Sequence, residues 1–352
     1  MPEVLNNELL NEEVVKKTDT SEQALLQMLA GAWVTQIVSA ATALGIPDAL
    51  EIHHTRTSRQ LAVDTAANPD ALNRLMRALA SVGVVSEGNA GHYTLTPVGD
   101  RLRASHPQSM RHFFLAETDR VHRRSWEALA DAVRTGQPQP LPVFGKSVFD
   151  YYQEHPQEGE QFGRAMQNVS TMSAQGVLAN YDFTQARAIV DIGGGNGSFV
   201  RAILGQYPHA CGIVFDLPYM ESQAIASIQS DGLADRCSSS AGDIFHAVPA
   251  GADVYLLRFI LHDWNNDQSR RILDVIRSAA APGARVLLVE MLLPENNEPG
   301  LVQLMDINML VMTGGRERTG EEYCRLLTES GFRSARKILT GTPFAIIEGE
   351  AV

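Results

Sequence analysis

Cysteine is scarce in this chain: 352 residues contain three, Cys211, Cys237 and Cys324. Wide spacing and an odd number exclude a disulfide framework and a paired-cysteine metal motif, leaving ordinary reduced thiols. No uninterrupted apolar run approaches the roughly 18 residues of a membrane span. The opening "MPEVLNNELLNEEVVKKTDT" lacks the basic, apolar and small-residue sections of a secretion signal, and residues 1–18 are expected to be loosely ordered. Basic charge is also short, with 29 Lys and Arg against 41 Asp and Glu and a net charge of −12, which disfavours nucleic acid and anionic membrane as partners. No G-x-x-x-x-G-K-S/T loop is built to cradle a triphosphate. No Asp/Asn/His cluster has metal-ligand spacing, so no metal is expected. These absences point to a soluble, cytoplasmic protein.

At 44 % apolar and 20 % charged residues, the chain suits two globular domains. Residues 19–105 read as the first. Helical spacing over residues 21–50 closes at Gly45 and Pro47, and its nearly uncharged faces are expected to meet another chain. A short helix, a turn at Ala67–Pro69, a second helix to about Ser81 and a hairpin around Gly88–Gly91 then make a winged-helix module. Between Glu51 and Arg103, six arginines face five acids, a net of +1 that is too small for a footprint on phosphates. The module therefore reads as a dimerisation domain, with a ligand-sensing winged-helix regulator as the alternative from another class. Residues 106–185 are helical and aromatic-rich, broken by a loop with prolines at 138, 140 and 142. From 186 to 352, the apolar runs "AIVDI", "GIVFD", "DVYLLRFIL" and "RVLLVEML" alternate with helical stretches. They predict an α/β fold with a Rossmann-like parallel sheet covered on both faces and a terminal antiparallel hairpin around "TGTP".

The stretch "AIVDIGGGNGSFVRAIL" reads as strand, tight turn and helix N-terminus, the place where a backbone approaches a nucleotide. Asp191 precedes the glycines, whose spacing is G-x-G-x-G; Ser198 stands where a dinucleotide fingerprint has its third glycine. Asp216 ends the next strand, where a carboxylate can accept from both ribose hydroxyls. Asp243 follows the strand after that, placed to accept from an adenine amino group with Ile244 and Phe245 against the ring. Three acids along one edge suit a ligand with ribose and adenine but no phosphate. S-adenosylmethionine fits that description better than a nicotinamide dinucleotide does.

The fourth strand runs into "LHDW". A histidine at its carboxyl end, His262, points over the cleft and can take a proton near neutral pH. Glu290, ending the fifth strand, and Glu317, in "TGGRERTGEEY", are the acids expected beside it, where a carboxylate fixes the tautomer and stabilises the imidazolium. Asp263 is placed with the substrate pocket, together with Trp126, Phe144, Phe149, Phe162, Met166, Met172, Met305, Asn308, Met309 and Met312. The last four share one helix face at i, i+3, i+4 and i+7. Methionine and aromatic residues at helical spacing more often form core, so about half of these positions are expected to touch substrate.

Taken in order after a winged-helix region, "VDIGGGNGSF", "FDLP", "GDIF", "LHDW" and "GGRERT" resemble the S-adenosylmethionine-dependent small-molecule O-methyltransferases. That family includes caffeate, hydroxyindole and antibiotic-tailoring enzymes; the likeness spans about residues 20–350 and is strongest to the bacterial branch. It implies a class I methyltransferase fold, with Gly193, Gly195, Asp216 and Leu217 holding the cofactor. The Gly242–Asp243–Ile244 step would contact adenine, and Arg258 would lie at the cofactor where plant members carry lysine. It implies His262 as general base with Glu290 and Glu317 flanking it, and a homodimer whose N-terminal helices help close the partner's site. The substrate class implied is a small aromatic hydroxyl compound. Some relatives have drifted to hydroxylation, decarboxylation or pericyclic catalysis; retention of His262 and both acids argues for methyl transfer, with N-methylation as an alternative.

Overall fold

A computed structural model describes residues 5–352 other than 51, 90 and 297; the side chains of residues 5–20, 168, 171 and 172 lie outside the described set. The chain divides into two compact units, one ending at Thr118 and the other beginning at Asp119.

In the first unit, helix α1 (Leu5–Ala43) stops where Gly45 adopts a φ of 72°, the end that Gly45 and Pro47 predict. The expectation of loose order over residues 1–18 falls on residues 1–4 and on the side chains of residues 5–18, which lie outside the described set. From Ser21 onward α1 exposes Leu25, Leu26, Met28, Leu29 and Trp33. By length and composition alone, Ser21–Ala43 would also suffice to cross a membrane. Counting uninterrupted apolar runs misses this, because the residues that break the run are mostly uncharged Ser, Thr and Gln.

Strand β1 (Arg56–Thr57), helices α2 (Ser58–Asp64) and α3 (Pro69–Ser81), and strands β2 (Val85–Glu87) and β3 (His92–Leu95) follow. They reproduce the expected helix, turn, helix and hairpin, with strand order β1-β3-β2. A capping box between Thr57 and Gln60 starts α2, and Asn68 caps α3 ahead of Pro69. Leu61, Leu72, Met76 and Leu79 close against Val38, Ala41, Val85, Tyr93 and Leu95. Residues 106–118, read from sequence with the helical linker, group with this unit, where Phe114 packs on the same core.

The second unit begins with α4 (Arg120–Glu127) and α5 (Pro156–Asn180). Then come β4 (Ala188–Ile192), α6 (Ser198–Gln206), β5 (Cys211–Asp216), α7 (Glu221–Ser230), β6 (Cys237–Ala241), β7 (Val254–Arg258) and α8 (Asn266–Ala279). The chain ends with β8 (Arg285–Leu293), α9 (Leu301–Met312), β9 (Arg318–Thr319), α10 (Gly320–Glu329), β10 (Phe332–Leu339) and β11 (Phe344–Ala351). The strand order is β10-β11-β8-β7-β4-β5-β6, and β9 pairs with the end of β8. Pairs from β4 to β8 are parallel, whereas β11 runs antiparallel to both β8 and β10. This is the predicted parallel sheet with its terminal hairpin. Ile189, Leu256, Leu287, Val289 and Ile346 face one core, and Val190, Tyr255, Leu257, Val286, Leu288 and Ile347 face the other. Burial on both faces is why these strands read as continuous apolar runs. Growth of the sheet reverses at β4, with β5 on one side and β7 on the other, which opens a crevice at the strands' carboxyl ends.

Candidate active site

The glycine turn leaves β4 at that reversal. Gly193 and Gly195 take φ values of 65° and 59°, a region in which side chains are strained. A Cβ built on Gly193 would strike Ile260 at 2.3 Å, whereas one on Gly195 would enter open space, with Met220 Cε nearest at 3.9 Å. Gly195 therefore lines a cradle. The Gly195 amide donates to Asp216 Oδ2 at 2.7 Å and the Leu217 amide to Oδ1 at 2.7 Å. Each carboxylate oxygen keeps a lone pair for a ligand hydroxyl. Burial raises the Asp216 pKa, and these two amides oppose the rise.

Asp191 does not share this edge. It is 1 % exposed, and its Oδ2 accepts from the Val200 amide at 3.3 Å, behind the turn. Burial lifts its pKa to about 6 against the pull of Arg258. Sequence counting placed it beside the ligand because it precedes the glycines; the pleat turns its side chain inward, towards the first turn of α6. Asp243 is exposed, and its Oδ1 accepts from the Phe245 amide while Oδ2 meets His246 Nδ1, each at 2.9 Å. The Gly242 amide donates to the Asp216 carbonyl at 2.9 Å, so the ends of β5 and β6 lie side by side. Ile244 and Phe245 pack partly buried against the core, and the Phe245 ring stands edge-on to Trp264.

Arg258 ends β7, 8 % exposed, with its guanidinium over the rings of Phe199 and Phe259 at 5.4 and 5.3 Å. Phe259 then takes a φ of 54°, rare for a residue with a side chain, and turns the chain into the segment 260–264. Glu290 Oε1 accepts from the Ile260 and Leu261 amides at 3.3 and 3.0 Å. His262 Nδ1 donates to Glu317 Oε1 at 2.9 Å, and Asp263 Oδ1 lies 3.9 Å from Nε2. The two glutamates thus divide their work, where sequence set both on the imidazole: Glu317 holds the ring and Glu290 holds the backbone leading into it. Parallel pairing of β9 with β8, Leu292 opposite Arg318, brings Glu317 next to the strand that carries Glu290. Burial alone would lower the His262 pKa. Asp263, the Glu317 hydrogen bond and the charge of Glu290 outweigh it and hold the imidazolium well above its ordinary range.

Among the pocket residues, Trp126 Nε1 donates to Asn308 Oδ1 at 2.8 Å, and Asn308 Nδ2 turns to Met305 Sδ at 3.8 Å. Phe149 stacks on Trp264 at 6.4 Å, on the segment that carries His262 and Asp263. Met312 is buried in a helical core with Tyr151 and Tyr152, and Phe144, Phe149 and Phe162 pack partly buried against it, because the aromatic helices pack on one another. Met309 is buried and Met166 half-buried; the Met172 side chain lies outside the described residues. Sequence reasoning missed Trp264, which bridges Phe149 and Phe245, and Arg318, buried behind the His262 segment. The signal for Arg318 was its place in "GGRERT", directly after a candidate acid.

A crevice of this kind, with an acid-held glycine turn on one side and a carboxylate-held imidazole across the neighbouring strand, is that of the class I methyltransferase fold. A family model described as the O-methyltransferase domain matches residues 126–333, and one described as the O-methyltransferase dimerisation domain matches residues 26–105. The chain belongs to the O-methyltransferase family and is an S-adenosylmethionine-dependent enzyme of the type found in bacterial antibiotic biosynthesis. A phenazine O-methyltransferase of Lysobacter antibioticus is 36 % identical over 328 residues, covering 93 % of this chain and 96 % of the relative. An 8-amino-8-demethylriboflavin N,N-dimethyltransferase of Streptomyces davaonensis is 33 % identical, covering 94 % and 95 %. The solved structure of human N-acetylserotonin methyltransferase in complex with SAM superposes with a TM-score of 0.86 at 29 % identity, covering 94 % of this chain and 99 % of that one. Here the residues fit such a ligand: Gly195 opens a cradle that a Cβ would fill, and Asp216 faces it with spare acceptor capacity.

Proposed function

We propose that the protein methylates the hydroxyl of a small aromatic metabolite, with His262 Nε2 as the proton acceptor. One observation carries this reading: Nδ1 is committed to Glu317, so Nε2 is the ring nitrogen left to exchange a proton at the crevice. Bound S-adenosylmethionine supplies an electrophilic methyl on a sulfonium. A phenol, with a pKa near 10, is a poor nucleophile until its proton leaves. His262 accepts that proton as the oxygen attacks, and Glu317 stabilises the imidazolium that forms. Glu290 keeps the segment in place through its backbone amides. Asp216 and Gly195 bind the ribose end of the donor, and Asp243 with Ile244 and Phe245 the adenine end. No metal enters this scheme. The similarity to a phenazine O-methyltransferase supports an aromatic acceptor. The similarity to an N,N-dimethyltransferase favours an aromatic amine as the second reading.

The exposed apolar side chains of α1, Leu26 to Trp33, fall within the stretch matched by the dimerisation domain. They support a homodimer formed through the first unit; the acidic net charge of −12 is the ground for reading the protein as cytoplasmic, without nucleic acid or an anionic membrane as partner.

The pH profile tests the base. His262 must be neutral to accept a proton, and its pKa is raised above the ordinary 6.5. The ascending limb of kcat/KM therefore lies above pH 6.5 in the free enzyme. Glu317→Gln removes a charge that favours the imidazolium, so the limb moves to lower pH and the plateau falls. An unmoved limb in that variant removes Glu317 and His262 from the titrating pair.

A further inference from the structure

Arg318 has no part in the reaction scheme above, yet it is 1 % exposed and heads the largest fully buried side chains among the described residues. A guanidinium has five N–H donors in a fixed planar fork, and here all five are used. Nε donates to Asn266 Oδ1 at 3.1 Å; Nη1 donates to the carbonyls of Leu261 at 2.9 Å and Arg316 at 3.3 Å. Nη2 donates to the Trp264 carbonyl at 2.8 Å and to Ser269 Oγ at 3.2 Å. Every acceptor is a neutral oxygen. Leu261 and Trp264 bracket the two residues that matter, His262 and Asp263. Between them, the His262 carbonyl accepts from the Arg316 amide at 2.8 Å. Three consecutive residues, 316 to 318, thus hold one face of the histidine segment: an amide, the carboxylate on the imidazole, and a guanidinium fork. The strap lies so close that a Cβ on Gly315 would sit 2.0 Å from the His262 carbonyl oxygen. On its far side, the guanidinium rests over the Tyr323 ring at 5.6 Å.

We propose that Arg318 is a positioning residue: its guanidinium fixes the Leu261–Trp264 backbone so that the His262 imidazole stays on Glu317 with Nε2 aimed into the crevice. This rests on the reading of His262 as the base. The physical reason is that the segment follows the left-handed Phe259. Glu290 holds its entrance and the Arg316 amide its middle. At its exit the Trp264 carbonyl meets Ser269 Oγ at 3.4 Å and the Arg318 guanidinium at 2.8 Å. With the exit released, the ring can swing off Glu317, and a displacement of about 1 Å can lower a rate by about 10²-fold. A lysine has three donors on one nitrogen and cannot span Leu261, Trp264 and Asn266 together.

The test compares Arg318→Met and Arg318→Lys with the parent enzyme and with His262→Ala, all checked for folding by circular dichroism. Measured are kcat, the acceptor KM, the Kd for S-adenosylmethionine, and the titration of His262 by nitrogen-15 NMR. Arg318→Met is expected to lower kcat by about 100-fold with KM and Kd changed by no more than about twofold. The His262 titration should move down towards pH 6.5 as the Glu317 contact loosens, and lysine should not rescue. A folded methionine variant with near-parent kcat, full rescue by lysine, or lost kcat with an unmoved His262 titration each overturns the proposal. Should neither variant fold, Asn266→Ala removes only the acceptor of Nε: a fall in kcat at constant Kd supports the proposal, and an unchanged kcat overturns it. An active His262→Ala enzyme would instead overturn the base assignment, whatever Arg318 does.

Discussion

Replacing His262 with alanine is expected to lower kcat by two or more decades while the Kd for S-adenosylmethionine stays near its parent value. General-base catalysis contributes about 10²–10⁴-fold, and here one atom supplies it, since Nδ1 is bound to Glu317. The residues read as binding the donor's ribose lie elsewhere, at Asp216 and the glycine turn, and hydrogen-bond each other, whereas the imidazole hydrogen-bonds Glu317. Separate measurement of kcat and of Kd by calorimetry checks this. A kcat unchanged in the alanine variant removes His262 from the reaction, and a Kd that collapses with kcat shifts its role to binding.

Asp216→Ala should show the converse. Two hydrogen bonds from ribose hydroxyls to a carboxylate contribute at least about 1.5 kcal/mol each, so their loss weakens donor binding by roughly 100-fold. The effect is compounded because the same carboxylate holds the Gly195 and Leu217 amides, so its removal also loosens the cradle. At saturating donor, kcat should fall far less than in the histidine variant. Asp216→Asn, which keeps one acceptor oxygen, should lie between the two. Calorimetry that finds unaltered affinity in Asp216→Ala would refute the ribose assignment.

What could be read from the sequence follows the reach of local rules. Apolar runs separated by helical periods predicted the sheet, and glycine and acid positions at strand ends predicted the crevice. Asn265 and Thr319 each start a helix and form capping boxes with Gln268 and Glu322. His262 and Glu317 meet as expected, although 55 residues separate them. The placements that differ from the expectation share one cause: they depend on which way a side chain leaves the backbone. Asp191 sits in the right strand, but the pleat turns it inward. Glu290 hydrogen-bonds the Ile260 and Leu261 amides and acts on the imidazole through its charge alone, because Phe259 enters the left-handed region and rotates the segment, which no spacing encodes. Phe144, Phe149, Phe162 and Met312 were placed at the pocket by type and period, and the same residues pack among the aromatic helices. Arg318 was passed over because a charged residue in a loop ordinarily faces water. Its burial shows only once β9 is paired with β8.

The most direct measurement follows the methyl group itself. Purified protein is incubated with S-adenosylmethionine carrying a carbon-13 methyl and a panel of small aromatic acceptors bearing both hydroxyl and amino groups, and the products are read by NMR. The account predicts label on a phenolic oxygen, formed by the parent enzyme and absent with the His262→Ala variant. Label on nitrogen, or on oxygen at equal rates in both proteins, would contradict it.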